Sequence, residues 1–189
     1  MIIQILTLFG AYIIGSIPTG YWFAKYLFRI DIREHGSGNI GASNIGRILG
    51  KRCFIVVMLI DAIKAYVTLA GASLYASNDL WYLFCVAGAL LVGNAHSLFL
   101  QFSGGKGVAT ALGIISFFMP FWLALSFACI WLLIFAVTAF AFLASLIAML
   151  FVLIAQIIFF GLTSVAFFLI VVFFWLVIRH ISNFASMNR

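Results

Sequence analysis

Charge is what this sequence has least of. Only 7% of its 189 residues are Asp, Glu, Lys or Arg, where a soluble domain carries about 25%. Such a chain cannot cover a globule with a water-facing surface, so a soluble fold is excluded. Just four residues are acidic, Asp31, Glu34, Asp61 and Asp79, and they do not cluster. There is no H-E-x-x-H and no C-x-x-C, so neither a resident metal nor another cofactor is expected. The three cysteines, Cys53, Cys85 and Cys129, lie in or beside apolar segments without ligand spacing. They read as small packing residues, and no disulfide framework is implied. A G-x-S-x-G elbow and a Ser-His-Asp set are also missing. An enzyme built from this chain works by positioning and charge stabilisation, without a metal or a covalent nucleophile. The first residues have no basic n-region and no small-residue cleavage site, so the first apolar segment is expected to stay as a helix.

Apolar residues are what the chain has in abundance. They make up 67% of it, in runs long enough to cross a bilayer. The expected fold is all-α, a polytopic integral membrane helical bundle, with residues 1–189 as one domain. Spans are expected at 1–23, 53–76 and 80–100. The stretch 108–178 has no charged residue and is divided into 108–119, 121–137, 144–160 and 163–178. Three spans there would leave Arg179, His180 and Arg189 outside, against the positive-inside rule, whereas four place them inside. Pro120 provides the break after the first piece. At about 1.5 Å per residue that piece is only ~18 Å long, against a core of ~30 Å, so it must be a short helix shielded by neighbours. The outcome is seven spans, with the N-terminus outside and the C-terminus cytoplasmic. Lys25, Arg29, Arg33, Arg47, Lys51 and Arg52 are six of the ten cations, and all fall between residues 24 and 52. The net charge of +6 therefore marks the cytoplasmic face of a membrane protein and not a nucleic-acid partner. Within the second span Asp61 and Lys64 are three residues apart and share a helix face. A structural ion pair is the favoured reading, with a direct substrate role as the alternative. In the first span, Pro18 of GSIPTG frees a backbone carbonyl. That is either a simple kink or a helix end that lines a site.

Two polar islands interrupt this apolar background. The first, GSGNIGASNIGRILGKR from Gly36 to Arg52, offers glycine amides able to form an anion nest. Ser37, Asn39, Ser43 and Asn44 add neutral hydrogen-bonding groups, and Arg47 adds a planar fork suited to phosphate. Its first six residues spell G-x-G-x-x-G, but with no preceding strand and no βαβ unit a dinucleotide site is rejected. The second island, QFSGGKG from Gln101 to Gly107, resembles part of a P-loop. It lacks the first glycine and the Ser or Thr after the lysine, so nucleotide hydrolysis is not supported. Gly104, Gly105, Lys106 and Gly107 at a helix start still combine amides, a positive dipole end and a cation. The alternative is an interfacial turn with a snorkelling lysine. His96 reads as packed or interfacial, and Ser145 as an ordinary small helix residue. Arg179, His180 and Asn183 follow the last apolar run, either as an interfacial anchor or as a third part of the anion site. A cytoplasmic site for a phosphorylated metabolite fits two classes, an enzyme and a transporter. The outer ends are nearly bare of polar residues, which disfavours a route across the membrane.

GSGNIGASNIGRILGK, FSGGKGVATALG and RHISN, with GSIPTG and the Asp61–Lys64 pair, together resemble the bacterial acyl-phosphate:glycerol-3-phosphate acyltransferases (PlsY). The match covers nearly the whole chain in order and spacing. It implies a multi-pass enzyme of the bacterial inner membrane with its site facing the cytoplasm, and with the lipid bilayer, acyl phosphate and glycerol 3-phosphate as its partners. The acyl group would move to the 1-hydroxyl, giving lysophosphatidic acid and phosphate. Carried over by motif, Ser37, Arg47, Lys106, His180 and Asn183 would act in catalysis. Asn39, Ser43, Asn44, Gly104, Gly105, Gly107, Ser145 and Arg179 would bind substrate. The resemblance implies Arg47 and Lys106 as phosphate ligands, Ser37 with the loop amides around a phosphate or oxyanion, and His180 and Asn183 on the glycerol end. Three positions depart from the family pattern. Asn94 stands where histidine usually follows Gly93, the stretch 138–142 before Ser145 has no charge, and Ser182 stands where glutamate often precedes the asparagine.

Overall fold

The computed structural model of the protein describes residues 2–76 and 79–187, with side chains through residue 181. All regular elements among them are helical: α1 (Ile2–Ser16), α2 (Thr19–Phe28), α3 (Ala42–Leu49), α4 (Lys51–Ser73), α5 (Leu80–Ala95), α6 (Val108–Phe118), α7 (Phe121–Thr138), α8 (Ala141–Phe160) and α9 (Ser164–Met187). By length and composition five segments can cross a membrane: α4, Leu80–Leu100, α7, α8 and Ser164–Ile181. The pair α1 and α2, bent by 43°, makes a sixth if it counts as one span. With 11 residues, or about 16 Å, α6 is too short to cross alone. Large apolar side chains such as Ile5, Val67, Leu133, Ile158 and Val171 stand exposed, as expected where lipid is the solvent.

The chain forms two compact units, residues 1–114 and 115–189. In the first unit, glycine brings helices together. A Cβ on Gly15 would lie 2.4 Å from Leu90 O, and one on Gly93 would lie 2.3 Å from Tyr12 O, so α1 and α5 touch backbone to backbone. Gly113 brings α6 equally close to α4, where its Cβ would meet Ala62 O at 2.1 Å. Gly46 does the same for α3, where a Cβ would sit 2.7 Å from Phe54 Cβ on α4.

The helix of the expected first span is broken after Ser16, because Pro18 cannot donate to it and its ring crowds the preceding turn, and α2 carries the bent pair past residue 23. The freed carbonyls find side-chain partners. Lys64 Nζ donates to Ile17 O at 2.9 Å and lies 3.5 Å from Gly15 O. Ser97 Oγ donates to Ser16 O. The favoured ion pair is present: Lys64 Nζ is 2.6 Å from Asp61 Oδ1, both side chains are only 9% exposed, and Thr19 Oγ1 donates to the same oxygen at 2.8 Å. After the break α2 carries the chain to Phe28 and ends where Arg29 adopts a left-handed conformation.

The second unit is built on a hairpin of α7 and α8. The expected spans 121–137 and 144–160 put a turn between them. The turn is tighter, because Ala139 takes φ 59° and α8 resumes at Ala141. Thr138 Oγ1 accepts from Phe140 N across it. Gly161, at φ 78°, ends α8, and Thr163 Oγ1 accepts from Gln156 Nε2 and Ala166 N before α9. Helix α9 continues beyond residue 178, so Arg179 and His180 are helical.

Candidate active site

The first glycine-rich island is a short loop followed by a helix. Gly36 and Gly38 take φ of 61° and 69°, which a side chain would resist. Asn44, 3% exposed, holds the turn from inside. Its Nδ2 donates to His35 O at 2.9 Å and Ile32 O at 3.3 Å, and its Oδ1 accepts from Ser37 N at 2.9 Å. A Cβ on Gly36 would lie 2.3 Å from that Oδ1, so glycine is required there. Asn39 Oδ1 accepts from Gly41 N at 2.8 Å, and α3 begins at the next residue. Asn39 and Asn44, taken from sequence as substrate contacts, thus shape the loop. Ser37 and Arg47 stand exposed, and Ser43 is half-buried in the first turn of α3. Arg47 makes no hydrogen bond or ion pair among the described residues, so its fork is open to an anion.

Beside this loop Asp31 is bound by Arg33 through Nε at 2.9 Å and Nη2 at 2.6 Å. That pairing holds the Asp31 carboxyl down at about 2 and raises the guanidinium. Arg33 also lies 4.7 Å from the centre of the Tyr21 ring on α2. The one carboxylate paired near the loop therefore does not compete for Arg47.

The second island has a different frame. Residues 97–103 close on themselves: Phe102 N donates to Ser97 O at 2.8 Å and Ser97 N to Ser103 O at 3.3 Å. Gln101 and Phe102, at φ 52° and 61°, are held left-handed by this ring. Gly105 N then donates to Asn94 O at 2.8 Å. A Cβ on Gly104 would lie 2.2 Å from Asn94 O and 2.6 Å from Ala95 O. The loop thus rests directly on the end of α5. Gly107, at φ 83°, turns the chain into α6, with Lys106 half-buried immediately before the helix start. His96 is exposed; its Nδ1–H donates to Phe102 O at 3.2 Å and its carbonyl accepts from Tyr12 Oη at 2.9 Å. Asn94, not His96, is the residue against Gly104 and Gly105.

One apolar cluster joins the two islands. It contains Tyr21 and Ala24 of α2, Ile32 just before the first island, Ile40 and Ile45 within it, Val57 of α4, and Leu100 directly before the second. Trp22 and Phe99 add a ring contact at 5.3 Å. Gly20 seats α2 on the first loop, where a Cβ would lie 2.0 Å from Ile40 O. The islands are therefore held at one end of the first unit, each leading into a helix N-terminus, where amides and dipole favour an anion.

In the second unit, Ser145 is buried; its Oγ donates to Ala141 O at 2.7 Å and accepts from Trp131 Nε1 at 2.9 Å. Donating to a phosphate would require it to release Ala141 O. His180 is 2% exposed and donates through Nδ1–H to Leu176 O at 2.8 Å, which leaves Nε2 as the acceptor of the neutral ring. Arg179 is half-buried. The side chains of Ser182 and Asn183 lie outside the described residues. Sequence reasoning missed the bracing roles of Ser97 and Asn94, because both act through contacts with distant backbone. No group of three or more His, Cys, Asp or Glu able to hold a metal occurs among the described residues.

A family model described as glycerol-3-phosphate acyltransferase matches residues 5–189. A glycerol-3-phosphate acyltransferase of Synechococcus sp. (strain JA-2-3B'a(2-13)) is 40% identical over 148 residues, covering 78% of this chain and 72% of the relative. One from Wolbachia pipientis subsp. Culex pipiens (strain wPip) is 34% identical over 177 residues, covering 94% and 91%. The crystal structure of PlsY, an integral membrane glycerol 3-phosphate acyltransferase, in its glycerol 3-phosphate form superposes with a TM-score of 0.88 at 33% identity, covering 98% of this chain and 92% of that one. The lysophosphatidic acid form gives 0.86 at 32% identity, with 98% and 91% covered.

Proposed function

This chain belongs to the glycerol-3-phosphate acyltransferase family, and we propose that it moves a fatty acyl group from acyl phosphate to the 1-hydroxyl of glycerol 3-phosphate. The glycerol oxygen attacks the acyl carbonyl, the carbonyl carbon–phosphate oxygen bond breaks, and inorganic phosphate leaves with its electron pair. The hydroxyl proton ends on the departing phosphate or on His180. Phosphate is a good leaving group, so the chain's contribution is to bring two anionic substrates together and to stabilise charge on the carbonyl oxygen.

The observation that carries this reading is the pair of glycine-rich loops joined by one apolar cluster. Arg47 and Lys106 are the proposed phosphate ligands, and Ser37 with the loop amides and Ser43 holds the second phosphate or the developing oxyanion. Asn39, Asn44, Gly104, Gly105 and Gly107 keep those loops in shape. Arg179, His180 and Asn183 retain the role carried by their motif, at the glycerol end. The acyl chain enters from the bilayer. The proposed topology has seven spans, the N-terminus outside, and the site facing the cytoplasm of a bacterial inner membrane, which places the loop cations inside. The transporter reading has no support from the family or from the structural neighbours.

Purified protein in lipid, given acyl phosphate and glycerol 3-phosphate, is expected to release lysophosphatidic acid and phosphate in equal amounts. Folded protein that forms neither product overturns the reading. Arg47→Ala and Lys106→Ala should each lower the rate about tenfold or more, since a charge-assisted contact is worth roughly 1.5–3 kcal/mol. Unchanged kinetics in both would reject their roles.

A further inference from the structure

We infer that Lys64, Asp61 and Ser97 are positioning residues, which grip the broken end of α1 and through it hold both phosphate loops; this rests on the acyltransferase reading above. An ionisable pair inside a span is costly and calls for a reason. Here the reason is local. Pro18 interrupts the helix after α1, and three successive carbonyls at the break face side chains from elsewhere in the chain: Gly15 O and Ile17 O face Lys64, and Ser16 O accepts from Ser97. Asp61 neutralises Lys64 at 2.6 Å and takes the Thr19 hydroxyl at 2.8 Å, which sets where α2 begins.

From that node the geometry runs to both loops. Thr19 is followed by Gly20, whose missing Cβ lets α2 press on Ile40 O, and Ile45 lies 3.3 Å from the same point. Ile40 and Ile45 flank Asn44 and lead to Ser37 and Arg47. On the other side, Ser97 closes the ring that includes Phe102 and Ser103, directly before Gly104 and Lys106. A small rotation at Pro18 would therefore move both anion loops. An ordinary structural pair would lower stability and leave each folded molecule as active as before.

The test uses the full chain in lipid vesicles, with kcat and KM for both substrates expressed per folded molecule. Lys64→Met is expected to lower kcat/KM about thirtyfold alone but less than about threefold when Arg47→Ala is already present, because residues acting through one element are not additive. Ser97→Ala should show the same pattern with Lys106→Ala, at about tenfold alone. Lys64→Arg, which keeps a cation and its donors, should recover most of the loss. Thr19→Val removes one hydroxyl and tests the same node, at about threefold, if Lys64→Met does not accumulate.

Cys53, partly buried against the joining cluster, gives a reading that needs no activity. In a Cys85→Ser, Cys129→Ser background its alkylation should quicken about tenfold with Lys64→Met. Unchanged constants per folded molecule, or equal losses with and without Arg47→Ala, overturn the inference, as does unaltered alkylation. A wild-type protein without product would sink the acyltransferase reading instead, while the alkylation result would still report on the node.

Discussion

The first glycine-rich loop is held by a side chain of the helix that follows it, and the second by the backbone of the helix that precedes it. Asn44 reaches back from α3 with three hydrogen bonds. Gly104 and Gly105 instead lie on Asn94 O and Ala95 O, backbone atoms at the end of α5. Both loops open into a helix N-terminus and both use left-handed glycines. They differ in what can be removed. A side-chain brace is lost in one substitution, while a backbone seat is disturbed only by adding atoms.

Gly104→Ala should be the most damaging change. Its Cβ would land 2.2 Å from Asn94 O and 2.6 Å from Ala95 O, both backbone atoms of a packed helix end that cannot yield cheaply. Displacing the loop by about an ångström near the reacting groups can cost roughly a hundredfold. Activity per folded molecule is expected to fall by about that much, or the protein to fail to accumulate. Near-normal kinetics would show that the second loop is not seated on α5.

Asn44→Ala comes next. It removes three hydrogen bonds, although Ile32 O and His35 O keep backbone donors in His35 N and Gly38 N. A hydrogen bond contributes about 0.5–1.5 kcal/mol net, so a loss of about 2–3 kcal/mol is expected in unfolding measurements. Activity should drop about tenfold, through Ser37. Asn44→Asp should not rescue it, since a carboxylate has no donor for the two carbonyls. Asn94→Ala keeps the backbone oxygen that receives Gly105 N, so it should cost clearly less than Asn44→Ala. The reverse order would erase the distinction between the loops.

The islands and the apolar pieces around Pro120 were legible because punctuation marked them: glycine, proline and charge against an apolar background. The α7–α8 turn was placed within a few residues by the spans on either side, but not its tight form, since it turns at Ala139, with no glycine or proline to announce it. The length of α2 was missed because the basic residues read as loop although Lys25 still lies on a helix. Asn44 was visible as a polar residue in a phosphate-suited string, but not that it faces the loop. Its partners are 7 to 12 residues away, and only a folded turn brings them in reach. The carbonyl partners of Lys64 and Ser97 lie 47 and 81 residues away, and periodicity carries no trace of such pairings.

The smallest expected effect concerns the ion pair at the edge of the first loop. Arg33 holds the Asp31 carboxyl at about 2, below its ordinary 3.8. A depressed carboxyl contributes stability that is complete above the ordinary value and is lost as pH falls through the folded one. Asp31→Asn should therefore lower the thermal midpoint by a constant amount from about pH 5 upward, and the gap should close between about 4 and 2. The pair is partly exposed, at 46% for Arg33 and 26% for Asp31, so solvent screening keeps its worth within about 1 kcal/mol. A gap that instead widened in acid would mean that Asp31 is better bound protonated. The first loop would then be held at this edge by something other than charge.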